Sequence, residues 1–142
     1  MESYNFDAKR QALLAAGVRM MDPACVYVED TVEVGAGTLL LPGTILRGDT
    51  VIGSDCEIGP NTMLVNCTVG DHSTVNSSQC QDSRVGSRCE IGPYAHLRPH
   101  SVVGDGSKIG AFVQLKNCNL GEGTKMAPLT YVGDSDVGPG CN

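Results

Sequence analysis

Large aliphatic residues recur along this chain at a fixed interval of six. Val28, Val34, Leu40, Leu46, Ile52, Ile58 and Leu64 follow one another without a break. A five-residue step leads to Val69 and Val75, and the series resumes at Val85, Ile91, Leu97, Val103, Ile109 and Leu115. A further five-residue step gives Leu120, Met126 and Val132, and another gives Val137. Glycine often follows the aliphatic, as at Gly35, Gly53, Gly70, Gly86, Gly104 and Gly121, and a small residue such as Thr38, Thr44, Cys56, Ser73 or Ser107 precedes it by two. One large and one small inward residue in every six fits neither the helical period nor plain strand alternation. A fixed internal period points to a solenoid. The pattern predicts short strands joined by tight corners, three to a coil, closing into a triangular prism: an all-β, parallel β-helix. Each coil takes 18 residues, so residues 28–138 make about six coils. Glycine relieves corners where a side chain would crowd the backbone or where φ is positive. The interruption from Asn76 to Arg84 predicts a loop leaving one corner. A globular β-sandwich is the alternative that so regular a register disfavours.

Residues 1–27 lack the repeat. Ala8 to Ala16 predicts a short helix with Asp7 as N-cap and Gly17 as C-cap. Val18 to Ala24 then leads into the prism, with Pro23 marking the start. The domain reading is an N-terminal helical arm and lead-in over residues 1–27, and the β-helix over 28–142.

Charge and composition narrow the partners. The formal net charge is −6 and no basic run stands out, so nucleic acid and anionic membranes are poor candidates. No stretch approaches the roughly 20 apolar residues of a membrane span. The sequence Met1-Glu2-Ser3-Tyr4-Asn5-Phe6-Asp7 lacks the basic and apolar regions of a signal peptide, which makes the cytoplasm the expected location. Seven cysteines with no Cys-x-x-Cys pair read as small buried residues in a reducing compartment, and no metal site is expected.

Most corner positions are glycine or neutral, but Arg47, Arg98 and Lys116 are cations. Arg98 and Lys116 are 18 residues apart with no odd step between them, which stacks them on one edge, one coil apart. Two cations about 5 Å apart repel by roughly 0.8 kcal/mol in water and several-fold more near a protein surface. An anion between them reverses the sign, with arginine offering a fork suited to phosphate and lysine a point charge. The alternative is that both side chains splay into solvent, where repulsion is slight.

Three stretches are more specific than the repeat. These are Ile91-Gly92-Pro93-Tyr94-Ala95-His96-Leu97-Arg98-Pro99, Gly110-Ala111-Phe112-Val113-Gln114-Leu115-Lys116-Asn117, and Gly123 to Asp134, which contains Pro128-Leu129-Thr130-Tyr131. They resemble the C-terminal domain of the bifunctional N-acetylglucosamine-1-phosphate uridyltransferase/glucosamine-1-phosphate acetyltransferase family. Ala16 to Ala24 resembles that family's helical arm and the start of its β-helix, so the likeness runs over nearly the whole chain. The resemblance implies left-handed coiling of hexapeptide repeats, against the general right-handed tendency of parallel crossovers. It implies a homotrimer of parallel prisms with sites in the clefts between subunits. It also implies sugar-phosphate binding, of the glucosamine-1-phosphate class, by Arg98, Lys116, Tyr131 and Asn142, within UDP-N-acetylglucosamine biosynthesis. The family's acyl donor is acetyl-CoA.

Two departures qualify the likeness. The family's catalytic histidine, general base on the sugar amine, falls at Pro128, and proline cannot accept a proton. Loss of a positioned base typically costs about 10²–10⁴-fold in rate. The family's prism also continues past the position of Asn142, and those coils carry most of the acetyl-CoA groove and the rest of the sugar site, so no cofactor is expected on this chain itself. The uridyltransferase half has no counterpart: Leu14 to Met20 only superficially resembles its glycine-rich loop, without the second glycine or the preceding strand. His96 and His100 flank the Arg98 corner and His72 lies in another coil; solvated surface imidazoles are the plain reading, and replacement of the missing base is the alternative. The expectation is a catalytically impaired acetyltransferase homologue that keeps part of the sugar-phosphate site. The other readings are an acetyltransferase completed by a second chain at the open C-terminal end, and a ligand-free structural trimer or interaction module.

Overall fold

Strands of two to four residues expose one side chain and bury the next, and each ends at a corner before twist can accumulate. A computed structural model describes residues 5–141. It is a left-handed parallel β-helix whose three faces are seven-stranded sheets, with every strand pairing to the equivalent strand one coil away. The second face carries the candidate site. Its strands, from bottom to top, are Val26–Val28, Thr44–Arg47, Thr62–Val65, Gln79–Gln81, His96–Leu97, Gln114–Lys116 and Tyr131–Gly133. The first coil begins at Arg19–Met20, which pairs with Leu39–Leu40, so the described residues make seven coils.

The aliphatics of the six-residue series stack in the prism interior. Leu40, Leu46, Ile58, Leu64, Val75, Leu97 and Leu115 are completely buried. The small residues two positions earlier are buried too, and their hydroxyls bond between coils. Thr38 Oγ1 donates to the Gly53 carbonyl at 2.8 Å and accepts the Cys56 N–H at 3.0 Å. Ser73 repeats this, donating to Gly86 O at 2.8 Å and accepting from Cys89 N at 3.0 Å. A small polar residue fits because it ties one corner to the next.

The expected loop between Asn76 and Arg84 is absent. Gln79–Gln81 is a full strand of the second face, pairing with Thr62–Val65 below and His96–Leu97 above. Cys80 takes the inward position, 2 % exposed, reached by one five-residue step from Val75 and left by another to Val85. A thiol in place of an aliphatic, between two short steps, hid this coil from the pattern.

Corner chemistry also differs from the simplest reading. Gly35 has an ordinary φ, but a Cβ there would stand 2.7 Å from the Gly53 carbonyl carbon, so the contact between coils, not the φ, demands glycine. The left-handed φ falls elsewhere in the corners. Thirteen non-glycine residues among those described, including Asn61, Asn66, Tyr94, His100, Phe112 and Asn117, have φ between 46° and 66°.

Helix α1 spans Asp7–Ala15 and buries Leu13 at the base of the prism. Its N-cap is Phe6, not Asp7, which sits in the first turn and pairs with Arg10 at 2.9 Å. Asn5 Oδ1 takes the Asp7 N–H at 3.0 Å instead. Ala16 is the C-cap, with Gly17 just beyond. At the opposite end, the inward residues Met126, Val132 and Val137 of the last coil are only half-buried. No helix among the described residues is long and apolar enough to cross a membrane.

Candidate functional site

On the second face, His96 pairs with Gln114 and Leu97 with Leu115, so Arg98 lies directly beneath Lys116. Lys116 in turn pairs with Gly133, and Gln114 with Tyr131. Side chains two apart on a strand point the same way. The three upper strands therefore form two outward columns, His96–Gln114–Tyr131 along the middle and Arg98–Lys116–Gly133 along the edge. Coils rise by about 4.8 Å.

The backbone of Arg98 is fixed from three sides. Its N–H donates to the Leu115 carbonyl at 2.7 Å, and its own carbonyl accepts the hydroxyls of Ser83 at 3.1 Å and Ser101 at 2.8 Å. Lys116 is anchored by its strand and by its carbonyl, which accepts the Asp134 N–H at 3.0 Å. Both side chains are half-buried, and among the described residues neither forms an ion pair or a side-chain hydrogen bond. Arg47, three coils below on the same edge, lies 3.7 Å from Glu29 and is charge-matched. The nearest carboxylate above, Asp134, accepts from Asn117 Nδ2 at 3.0 Å. A stacked pair of uncompensated cations thus stands in a protein of net charge −6.

Tyr131 is exposed and leans along its strand toward the cationic edge: a Cβ on Gly133 would collide with its hydroxyl and lie 2.9 Å from its Cζ. The absence of a side chain at Gly133 makes room for the phenol beside the Lys116 column. Arg98, Lys116 and Tyr131 are therefore brought to one edge. Asn142 lies outside the described residues. Pro128 occupies the opposite corner of the same face, in an exposed turn with Leu129, which has φ 64°. Below Leu129 the same corner holds Phe112 and Tyr94, whose rings stack with centroids 5.3 Å apart. The Ala127–Pro128–Leu129–Thr130 turn carries no side chain that takes up a proton near neutral pH.

Sequence reading named the cations but passed over their surroundings. Gln114 and Gly133 emerge as neighbours only from the pairing register. Cys80 is what keeps Gln81 in line beneath Arg98. Among the described residues no cluster of three or more histidine, cysteine, aspartate or glutamate side chains is arranged to hold a metal. Burial pushes the thiols of Cys56, Cys67, Cys80, Cys89 and Cys118 up, against reactivity at neutral pH.

Known proteins agree with this architecture. The chain is 46% identical over 126 residues to the bifunctional protein GlmU of Brevibacillus brevis and 46% identical over 127 residues to that of Mycobacterium marinum. Those matches take 89% of this chain but only 27% and 26% of the relatives, so it spans about a quarter of their length. Among solved structures, the fold matches an N-acyltransferase, AntD, from Bacillus cereus, with a TM-score of 0.65 at 14% identity over 95% of this chain and 88% of that one. It also matches the acetyltransferase domain of PglB from Neisseria gonorrhoeae, with a TM-score of 0.58 at 17% identity over 94% of this chain and 58% of that one. At such identities the likeness concerns the fold alone. The sequence pattern of the bacterial transferase hexapeptide family (six repeats) matches residues 31–65 and 82–117, half of the chain, and with the observed prism this places the protein in that family.

Proposed function

We propose that this chain binds a sugar phosphate of the glucosamine-1-phosphate class on the Arg98–Lys116 edge and catalyses little or no acetyl transfer by itself. The single observation that carries the reading is the uncompensated stack of Arg98 on Lys116. A phosphate between the two accepts charge-assisted hydrogen bonds from both, turning repulsion into attraction. Tyr131 provides a hydroxyl and an apolar ring at the upper end of the same edge, suited to a sugar. Asn142 is assigned to the sugar by resemblance alone. Both GlmU relatives are named as bifunctional proteins, and the acetyltransferase side of that activity is the one whose β-helix this chain resembles.

The acetyl-transfer step lacks its base. The family's general base removes a proton from the sugar amine, and Pro128 has no group to take it. The protein acts as a homotrimer in the cytoplasm in this reading, with neighbouring copies closing the cleft beside the second face; the exposed Tyr94–Phe112–Leu129 corner supports such a contact.

A second reading is favoured by the half-buried Met126, Val132 and Val137. A further β-helical coil stacked on this end, whichever chain it belongs to, covers these side chains, pairs the free strand edges and brings a base and donor groove that residues 5–141 do not provide.

Calorimetry with glucosamine-1-phosphate tests the first reading. Heat of binding that disappears in Arg98→Ala is the expected result, and no binding by the unaltered chain overturns it. An acetylation assay comparing the unaltered protein with Pro128→His tests the account of the missing base; turnover by the unaltered protein equal to or above that of a measurably active Pro128→His contradicts it.

A further inference from the structure

The middle column of the second face places an imidazole beside the two cations. His96 is two residues before Arg98, on the same outward side, so their Cα atoms are about 6–7 Å apart. It lies diagonally below Lys116 and is exposed. No hydrogen bond or ion pair holds its ring among the described residues. It walls a groove of about 200 Å³ with Gln79, Gln81 and Arg47. Gln81 continues the Arg98 column one coil down, because Cys80 pairs with Leu97.

The charges facing His96 are all of one kind. Along its strand stand Tyr94 and Arg98; above are Gln114, Lys116 and, one coil higher, Tyr131; below are Gln79 and Gln81, with Arg47 across the groove. No carboxylate occupies an outward position on these upper strands. The nearest are Asp82, one residue beyond Gln81 at the turn, Asp134, held by Asn117, and Glu29, held by Arg47. The other two histidines are placed differently: His72 is 3.9 Å from Asp55 on another corner, and His100 lies past Arg98 in the turn, where its backbone N–H donates to the Asp82 carbonyl at 2.9 Å.

We propose that protonated His96 is the third cationic contact of the Arg98–Lys116 anion site, so that anion affinity rises as pH falls. The proposal rests on the anion-binding reading above and adds its regulation. Imidazoles change charge near neutral pH. An anion held by Arg98 and Lys116 offsets their repulsion of an imidazolium and attracts it, so binding takes up a proton and protonation tightens binding. Gln114, on the Lys116 strand, and Gln81, one coil below Arg98, are neutral and bring no competing negative charge.

Sulfate is the suitable probe, because it stays a dianion across the relevant range and adds no titration of its own. NMR titrations at about pH 6 and about pH 8 compare the unaltered protein with His96→Gln, His100→Gln and Arg98→Ala. The expected affinity is about five- to tenfold higher at the lower pH in the unaltered protein and in His100→Gln, and changes by less than about twofold in His96→Gln. The His96 ring protons titrate at higher pH with saturating sulfate than without it. An undiminished pH dependence in His96→Gln, or a ring titration indifferent to sulfate, overturns the proposal while leaving the anion site standing. Absence of sulfate binding at both pH values, or binding unaffected by Arg98→Ala, overturns the anion-site reading itself.

Discussion

Lys116 stands directly above Arg98, one coil apart on the same edge, and the Arg98 N–H reaches the Leu115 carbonyl at 2.7 Å. Backbone hydrogen bonds of the prism hold the two positive charges together, and no carboxylate comes between them. The ordering cost of bringing them together is met by folding and need not be met again by a ligand.

Removing either cation weakens binding of a sugar phosphate. Arg98→Ala and Lys116→Ala each lower affinity by about 10- to 100-fold, the range of one charge-assisted hydrogen-bonding group. Arg98→Lys keeps the charge but loses the fork, and falls between the unaltered protein and Arg98→Ala. Arg47→Ala changes affinity by less than about twofold, because Glu29 already balances that charge. Isothermal calorimetry checks all four, and raising the salt concentration weakens binding in the unaltered protein.

Gly133→Ala separates position from chemistry. The new Cβ lies 2.9 Å from the Tyr131 Cζ and pushes the ring off the edge, while the Gly133 backbone needs no left-handed φ. Sugar-phosphate affinity falls to nearly the level of Tyr131→Ala, and thermal stability changes little because the site is at the surface. Calorimetry combined with thermal melts shows whether the two effects separate.

Thr38→Val tests the hydroxyl ladder. The substitution keeps the volume but strands the Cys56 N–H and the Gly53 carbonyl, both bonded to the Thr38 hydroxyl. The cost is about 1–3 kcal/mol. Leu97→Ala, which empties a completely buried position, costs about 2–5 kcal/mol. Chemical denaturation ranks the two.

The thiols report on the fold. Maleimide labels Cys25 and Cys141 in the native protein, while Cys56, Cys67, Cys80, Cys89 and Cys118 react only after unfolding. Cys25 is the slower of the two, because its hydrogen bond to Asp22 and that carboxylate's charge push its thiol up, and Asp22→Asn speeds it. Desolvation raises the buried thiols, so the folded state keeps protons that the unfolded chain releases. That stabilisation is fully present below the unfolded thiol pKa of about 8.5 and is lost as pH rises through the folded values. Melting temperature therefore declines in alkaline buffer, and Cys80→Ala reduces the decline.

The aliphatic series made the prism legible because each inward position is filled by one large side chain whose neighbours are its own repeats. It failed at Cys80, since a thiol carries little hydrophobic weight in a pattern of leucine, isoleucine and valine, and two consecutive short steps there looked like an insertion. The stacking of Arg98 under Lys116 was readable from an 18-residue interval without odd steps. The company those cations keep was not. Which residues lie beside them depends on face and register, and Gly133 matters through the ring that lies over it, which no local sequence signal records. The strained corners at Tyr94, Phe112 and Leu129 were hidden for a related reason: large apolar residues rarely take a left-handed φ, and here the coil geometry imposes it.

A crystal of this protein soaked with glucosamine-1-phosphate puts the central claim to its most direct test. The expected difference density is a phosphate bridging the Arg98 guanidinium and the Lys116 ammonium, with the sugar ring toward Tyr131. Phosphate density on any other face at saturating ligand, or a clear view of both side chains with nothing between them, contradicts it.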